Sequence, residues 1–300
     1  MAVTITQLRA FLAVAEAGSV HLAARRLYVS QPSVSAAISA LGKELEVELV
    51  ERSGRGIRLT PAGEAFLPYA AEVLGLLDQG GQAAQEAARP QRNRIRLVAV
   101  TTAGEYLVPP LIDAYRRLHP ETELLLEIGN RKTVLDRVAS RMADLGIGGR
   151  PIARGVTGEP FLENDLVVVA REPVELAQAT WLLREEGSGT RATTERFLAE
   201  LGIVPRAVLT LGSNGAVREA LRLGLGIALV SELAVARELE SGELVRLAVP
   251  GTPIPRPWFA LVAEGIEPRP AVRRFLAFLH SEQARAAVTR ARHGRGQACA

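Results

Sequence analysis

Along the first 45 residues, apolar side chains recur at helical spacing in three short segments. The spacing predicts helices over Gln7–Ala17 and Val20–Leu27, and a third helix that begins after Ser30, a suitable N-cap. Small residues on the inner side of the second helix, Ala23 and Ala24, allow a neighbouring helix to cross it closely. Short helices joined by a tight turn therefore indicate a helix-turn-helix.

The third predicted helix has an apolar stripe and a small, mostly uncharged face. The stripe consists of Val34, Ile38, Leu41 and Leu45. A face of short side chains lets the backbone approach a DNA groove closely, and an amide there can donate and accept at base edges. The residues that we expect at the DNA are Ser30, Gln31, Pro32, Ser33, Ser35, Ala36 and Ser39. The alternative is an ordinary solvated helix side.

Two short β-prone runs follow the third helix. Leu49–Arg52 and Ile57–Thr60 surround a glycine-containing turn, which predicts a hairpin, or wing. Arg52, Arg55 and Arg58 lie around its tip, where guanidinium groups would meet phosphates and fix register without reading sequence. For each of them, ordinary surface arginine is the alternative.

Length and composition allow more than one domain. With 300 residues, 48% of them apolar, the chain can form two or three domains. No run approaches the roughly 18 apolar residues of a membrane span, and no charged-then-apolar leader opens the chain, so we expect a cytoplasmic protein without a membrane partner. The only cysteine is Cys299 and the four histidines are scattered, which excludes metal-ligand spacing. We predict no metal, no cofactor and no catalytic residue.

The charge balance predicts that one DNA-binding head binds weakly. The net charge is +3, and the first 60 residues hold seven basic and five acidic side chains, so linked heads would be needed for useful affinity. A helix that begins at Pro61, capped by Thr60, runs toward Ala88 and supplies the link, with residues 86–93 as a hinge. Its apolar stripe contains Phe66, Tyr69, Val73, Leu76 and Leu77. Packing of this stripe onto its own chain is the alternative.

From Arg94 onward, apolar β-branched runs alternate with amphipathic helices, a pattern typical of a parallel sheet covered by helices. A second such unit begins near Leu166, so we predict two α/β lobes. A last strand, Trp258–Val262, and a helix, Ala271–Leu279, are expected to return to the first lobe.

Three polar loops in these lobes lie between a predicted strand and the helix after it. At such positions helix N-termini offer free N–H groups, and hydroxyls with bare amides can surround an oxyanion. The residues that we expect at a small anionic ligand are Thr101, Thr102, Asn130, Ser188, Gly189, Thr190 and Asn214. Helix capping is the alternative for each loop, and loop polarity is the alternative for Asn130.

The amino-terminal residues closely resemble the winged helix-turn-helix of LysR-type transcriptional regulators. The matching positions in 11–63 are Phe11, Gly18-Ser19, Ala23-Ala24, Leu27, Ser30-Gln31-Pro32-Ser33-Val34-Ser35, Ile38, Leu41, Leu45, Arg52 and Leu59-Thr60-Pro61-Ala62-Gly63. Gly42, Glu46 and Val50 depart from the family pattern of an acidic residue, a glycine and an aromatic residue. The resemblance implies base contacts for Gln31, Pro32, Ser35 and Ala36, and backbone contacts for Arg52 and Arg55.

The remaining chain resembles the periplasmic-binding-protein-like (type 2) effector domain of the same regulators. Residues 101–106, 129–130 and 184–191 are similar to the branch that controls sulfite-reductase and carbon-fixation genes, whose effectors are small anions or phosphorylated metabolites. The resemblance implies an α/β protein with the following parts: a DNA-binding domain, 1–60; a linker and dimerisation helix with hinge, 61–90; effector lobe I, 91–163, completed by 265–289; effector lobe II, 164–264; and a basic, disordered tail, 290–300.

The predicted function is a ligand-responsive transcriptional regulator. Its expected partners are double-stranded DNA, a small anionic effector and further copies of itself, as a homodimer or homotetramer. An enzyme is a second class, suggested by Glu185 and Glu186 beside Ser188, but no histidine or lysine neighbours that serine in sequence. A transport-binding protein is a third class, opposed by the fused DNA-binding head.

Overall fold

We describe a computed structural model, in which residues 3–53, 56–88 and 93–292 are defined. The chain forms two compact units, one consisting mainly of residues up to Ala87 and the other mainly of residues from Ala88 onward. In the described ranges, no helix is long and apolar enough to cross a membrane.

The first unit is helical apart from one hairpin. Its elements are α1 (Ile5–Ala17), α2 (Val20–Leu27), α3 (Gln31–Leu45), β1 (Val50–Ser53), β2 (Gly56–Leu59) and α4 (Pro61–Ala88). The hairpin is antiparallel. This order is the predicted helix-turn-helix followed by a wing and a long helix. Glycines and Pro68 inside α4 do not interrupt it.

Local caps explain where these helices begin and end. Gly18 ends α1 with φ of 60°, in the left-handed region that glycine tolerates. Ser19 and Ser30 then accept hydrogen bonds from backbone N–H groups in the first turns of α2 and α3. Thr60 does the same for α4, where its hydroxyl accepts from the N–H of Gly63 at 3.0 Å. The three serine and threonine caps predicted from the sequence are confirmed.

The end of α3 accounts for two departures from the family pattern. Glu46 is its C-cap with φ of 57°, a conformation that usually favours glycine. The N–H of Val47 donates to the carbonyl of Gly42 at 3.0 Å, and a Cβ on Gly42 would lie 2.8 Å from the carbonyl oxygen of Val47. The glycine at position 42 therefore allows the Val47 carbonyl to approach the helix closely, while the left-handed position four residues later is occupied by Glu46.

Two small cores hold the first unit together. The predicted stripe of α3 is buried at Val34, Ile38 and Leu41. Phe11 is fully buried and its ring lies 5.6 Å from that of Phe66 on α4. Beyond this contact α4 leaves large apolar side chains exposed within the unit: Tyr69, Val73, Leu76 and Leu77.

The second unit is an α/β structure whose described strands form sheets of five, four and two strands. Its elements are β3 (Asn93–Val100), α5 (Val108–Leu118), β4 (Thr122–Gly129), α6 (Arg131–Ala139), β5 (Leu145–Gly148), β6 (Val156–Leu162), β7 (Asp165–Ala170), β8 (Thr180–Arg184), α7 (Gly189–Glu200), β9 (Ala207–Leu211), α8 (Asn214–Arg222), β10 (Ala228–Ser231), α9 (Ala236–Glu240), β11 (Val245–Arg246), β12 (Ile254–Pro255), β13 (Trp258–Ala263), α10 (Pro270–Leu279) and α11 (Glu282–Arg292). A single π-helical turn, Ala103–Leu107, precedes α5.

The first lobe contains a five-stranded sheet in the order β4-β3-β5-β13-β6. Its first three strands are parallel, whereas β13 is antiparallel to β5 and β6, so the sheet is mixed and the expectation of a purely parallel sheet is wrong. The pairing also places the whole of β13 in the first lobe. The predicted boundary at residue 264 is therefore too late, because the second lobe ends before Trp258.

The second lobe combines a parallel pair, β8 and β9, with strands that run antiparallel to β7. Ile227 joins the two groups, because it accepts from Leu182 and donates to Thr180 through its backbone. The chain crosses between the lobes twice, after β6 and after β12. At these crossovers the backbone N–H of Arg256 donates to the carbonyl of Asn164 at 2.7 Å.

The carboxyl end of the described chain is helical. Since α11 extends to Arg292, residues 290–292 belong to a helix, and the predicted start of a disordered tail at 290 is wrong. Residues 293–300, with Cys299, lie outside the described ranges, as do 89–92 of the predicted hinge.

Candidate DNA-binding surface and effector cleft

The outward face of α3 is solvent-exposed at every position predicted to meet DNA: Ser30, Gln31, Pro32, Ser33, Ser35, Ala36 and Ser39. Two of these side chains have structural partners. The hydroxyl of Ser30 accepts from the Ser33 N–H at 3.3 Å and lies 2.7 Å from the Ser33 hydroxyl. Gln31 begins the helix next to this cap, so its amide projects from the first turn.

The arginines of the wing differ in their partners. Arg58 forms a cross-strand ion pair with Glu51 at 2.8 Å. Arg52 is exposed on the adjacent position of β1, and Arg55 lies outside the described residues. The ion pair leaves Arg58 less available for a phosphate than Arg52.

In the second unit, the predicted ligand residues converge on a small cavity between the two lobes. This inner cavity has a volume of about 40 Å³. Of the seven predicted residues, the six that line it are Thr101, Thr102, Asn130, Ser188, Gly189 and Thr190. The polar loops of both lobes therefore meet at one cavity, as expected for loops that follow the carboxyl ends of parallel strands.

Helix capping explains some of these polar groups but not all of them. Asn130 is a cap, since its Oδ1 accepts from the N–H of Thr133 at 2.9 Å. Ser188 precedes α7 without a side-chain cap hydrogen bond. The hydroxyl of Thr101 donates to the carbonyl of Gly129 at 3.4 Å. Asn130, for which loop polarity was the alternative, is thus a helix cap, whereas the capping alternative is contradicted for the side chain of Ser188.

Asn214, the seventh predicted residue, bridges the two lobes instead of lining the inner cavity. Its Nδ2 donates to the Thr102 hydroxyl at 3.2 Å and to the Glu105 carboxylate at 2.9 Å, while its Oδ1 accepts from the buried guanidinium of Arg184. The carboxylate of Glu185 neutralises Arg184 through two hydrogen bonds of 2.7 and 2.8 Å. Arg184 and Glu185 both line the inner cavity, where they form a compensated pair of charges.

Arg256 is the main residue of this cleft that the sequence patterns missed. Its guanidinium lines the inner cavity, lies 3.5 Å from the Thr190 hydroxyl, and would be 2.5 Å from a Cβ on Gly189. In the described part of the chain no carboxylate forms an ion pair with it. Burial, and then the positive charges of Arg131 and Arg196, lower the pKa of Arg256 to about 10. The guanidinium packs against the start of α7, so a side chain at position 189 would displace it.

A larger cavity of about 730 Å³ adjoins the inner one. Five arginines and two glutamates line this outer cavity, and both cavities share Arg131, Gly149, Ser188, Gly189 and Arg256. An arginine between two prolines at a chain crossover, as in 255–257, was the available sequence signal. It falls outside the strand-to-helix loops, where ligand groups were sought.

Comparison with known proteins identifies the two units. Residues 5–64 match the family model "Bacterial regulatory helix-turn-helix protein, lysR family", and residues 88–284 match "LysR substrate binding domain". The chain belongs to the LysR family. Its members are DNA-binding transcriptional regulators with an effector-binding domain, so this protein is a transcriptional regulator and not an enzyme.

Individual LysR relatives agree over nearly the full length. The HTH-type transcriptional activator CmpR of Synechocystis sp. is 33% identical over 288 residues, which cover 92% of this chain and 94% of CmpR. The RuBisCO operon transcriptional regulator of Allochromatium vinosum is 34% identical over 297 residues, which cover 95% of this chain and 98% of that protein. These relatives confirm the resemblance to the carbon-fixation branch.

A solved structure matches the second unit. The regulatory domain of Synechocystis PCC6803 CcmR in complex with 2-PG is 30% identical, with a TM-score of 0.59. The match covers 63% of this chain and 96% of that domain. The effector-binding domain of this LysR protein therefore has the fold of a domain solved with a small ligand.

Proposed function

We propose that a small anion binds between the two lobes of the effector domain and changes how paired DNA-binding heads engage DNA. The anion would meet Thr101 and Thr102 from the first lobe and Ser188, Gly189 and Thr190 from the second. Asn130 and Asn214 support these loops through hydrogen bonds. The protein would act in the cytoplasm, where bacterial chromosomal DNA lies.

The observation that carries the proposal is the unpaired guanidinium of Arg256 in the inner cavity. A charge that leaves water needs a counter-charge, and burial without one is unfavourable. The lowered pKa of Arg256 expresses this cost. A bound anion would supply the missing counter-charge, and the hydroxyls of Ser188 and Thr190 would donate further hydrogen bonds to it.

The two-lobed cleft also explains how binding of the anion can be coupled to the arrangement of the two lobes. An anion that contacts residues of both lobes has a higher affinity for the arrangement in which those residues converge, and this difference in affinity shifts the equilibrium toward that arrangement. The hydrogen bonds of Asn214 with Thr102 and Glu105, which join the two lobes beside the cleft, support this coupling.

On the DNA side, α3 would enter the major groove. We infer that Gln31, Pro32, Ser35 and Ala36 face base edges, because they are exposed on one face of the helix. Ser30, Ser33 and Ser39 complete the contact face. Arg52 and Arg55 would bind phosphates and fix the register.

Self-association would pair the heads. The exposed apolar side chains of α4, Tyr69, Val73, Leu76 and Leu77, form a surface that a second copy of this helix can cover. We propose a homodimer through α4, with further pairing to a homotetramer. Two-fold pairing predicts half-sites separated by multiples of roughly 34 Å of duplex.

The test compares Thr102→Ala and Ser188→Ala with a control, Thr157→Ala, at an exposed position of β6. Inorganic phosphate and 2-PG serve as probes, and a mobility shift uses DNA upstream of the protein's own gene. We expect the probes to alter the shift of the wild type and of the control, but not of the two cleft variants, which keep basal DNA binding. A response of the cleft variants equal to that of the wild type would contradict the proposed site.

A further inference from the structure

The outer cavity contains more positive charge than its surroundings neutralise. Two of its five arginines are paired, since Arg191 contacts Glu195 at 2.7 Å and Arg196 contacts Glu200 at 3.8 Å. The other three, Arg131, Arg150 and Arg256, form no ion pair with a carboxylate in the described ranges of the chain. The unpaired charges are therefore concentrated where the outer cavity meets the inner one.

The three unpaired arginines are held in place by contacts that leave their charge intact. Arg131 donates from Nη2 to the carbonyl of Arg150 at 2.9 Å. The guanidinium carbon of Arg150 lies 5.9 Å from the ring centre of Phe259, within range of a cation–π contact. Arg256 lines both cavities. Arg131 and Arg256 line the same two cavities, and Arg131 lowers the pKa of Arg256 by charge repulsion, so these two groups lie close enough to be neutralised together.

The two cavities differ in what they can hold. The inner cavity, at about 40 Å³, has room for a group the size of a few water molecules, such as one phosphate or sulfate group, since one water occupies roughly 10–15 Å³ on this scale. The outer cavity, at about 730 Å³, has the size of an ordinary small-molecule site. An anion confined to the inner cavity would reach Arg131 and Arg256, which line both cavities, but not Arg150, which lines the outer cavity alone.

We infer that Arg131 and Arg150 form a second anion subsite, so that the effector is a small molecule with two anionic groups. One group occupies the inner cavity with Thr102, Ser188 and Thr190, and the other occupies the outer cavity. Arg256, between the cavities, faces both groups. The inference rests on the proposed function, since it assumes that the inner cavity binds the first anionic group.

When two anionic groups are linked, binding of the first group makes the contact of the second group intramolecular. The affinity of the linked molecule then rises with the effective concentration of the second group at its subsite. The advantage depends on the length of the connection, because a linker that cannot span the two subsites brings no gain. A ligand with two anionic groups and a matching spacer is therefore bound more tightly than a ligand with one such group. Selectivity between them comes from Arg131 and Arg150 rather than from the hydroxyls of the inner cavity.

The experiment uses the full chain and matched synthetic probes: inorganic phosphate, propylphosphonate, and straight-chain alkane bisphosphonates of increasing spacer length. Binding is followed by the fluorescence of Trp258, which lines the inner cavity. We expect at least one bisphosphonate to bind about tenfold more tightly than propylphosphonate. Arg131→Gln and Arg150→Gln should each remove most of this advantage, and Arg150→Gln, which alters the outer cavity alone, should leave phosphate binding within about twofold. Arg171→Gln, on an exposed arginine of the second lobe, should preserve the advantage.

The outcomes separate this inference from the proposed function. If phosphate binds and Thr102→Ala abolishes its binding, but no bisphosphonate gains affinity, the inner site stands and the second subsite is refuted. A bisphosphonate advantage that survives both Arg131→Gln and Arg150→Gln also refutes it, because the second group then lies elsewhere. If phosphate binding is unaffected by Thr102→Ala, the inner site fails. Absence of binding by every probe overturns both.

Discussion

Removing the charge of Arg256 should stabilise the unliganded effector domain. Burial and neighbouring positive charges lower its pKa to about 10, and each pKa unit corresponds to about 1.4 kcal/mol, so keeping the guanidinium charged costs the folded state at most about 3 kcal/mol. The side chain is partly exposed, and solvent screening reduces this figure. We expect Arg256→Gln to raise the free energy of unfolding by about 1–2 kcal/mol after this reduction.

The two tryptophans of the chain make the measurement specific for this domain. Trp181 is fully buried in the second lobe and Trp258 is buried in the first, and the sequence has no other tryptophan. Urea unfolding of the full chain, followed by tryptophan fluorescence, therefore reports on the effector domain alone. Arg256→Lys keeps the charge and Arg237→Gln removes an exposed arginine, so neither control should gain comparable stability.

The pH dependence provides a second check with a defined sign. Because the folded state holds this proton less tightly than the unfolded state, wild-type stability should rise with pH above about 10, until the unfolded chain also loses the proton. The advantage of Arg256→Gln should be constant between neutral pH and about pH 9 and decrease above pH 10. Loss of stability in Arg256→Gln, without a similar loss in Arg256→Lys, would show that the guanidinium already has a counter-charge in the free protein.

Other predictions concern the first unit. Gln31→Ala should relax base preference at one position by about 1–3 kcal/mol. Arg52→Ala should weaken binding to all sequences and lower the slope of log affinity against log salt concentration by about one. Equal effects of both variants in an affinity assay across operator variants would contradict this division of roles. Gly63→Ala should destabilise the first unit by about 1–3 kcal/mol or more, because its Cβ would lie 2.0 Å from the Leu49 carbonyl oxygen. Gly80→Ala, where a Cβ meets nothing within 4 Å, should instead stabilise α4 by about 0.5–1 kcal/mol; circular dichroism during thermal unfolding distinguishes them.

The helices of the first unit were predictable because their signals are local. Ser19 and Ser30 cap helices with their own side chains, and the period of Val34, Ile38 and Leu41 alone decides which side of α3 is buried. Such features depend on residues within one or two turns. The sequence alone shows that this chain has glycine at position 42 and glutamate at position 46, where the family has an acidic residue and a glycine. The reason for the glycine is visible only in the structure, where the Val47 carbonyl oxygen approaches position 42.

Features that depend on distant chain segments were less predictable. Hydrophobic pattern predicts the strand Trp258–Val262 and its return to the first lobe, which pairing with β5 and β6 confirms, but the predicted boundary at residue 264 left this strand in the second lobe. The ligand loops after β3 and β8 were found because parallel strands share one edge. Arg256 follows a different route into the cleft, through the second crossover, where the sequence signal is an arginine between two prolines and lies outside the strand-to-helix loops.

Because Arg256 lies on a connection between the lobes, its backbone and its side chain have different contacts. Its backbone pairs with buried Asn164 in both directions, through the Arg256 N–H and through the Asn164 Nδ2 that donates to the Arg256 carbonyl at 3.1 Å. These hydrogen bonds join the two connections between the lobes, while the same residue extends its guanidinium toward the proposed anion. A lobe movement that bends the crossovers must therefore also move the charge. If the anion binds more tightly in one arrangement of the crossovers, its interaction with this guanidinium favours that arrangement. Such a difference in affinity is what a ligand needs in order to change the conformation.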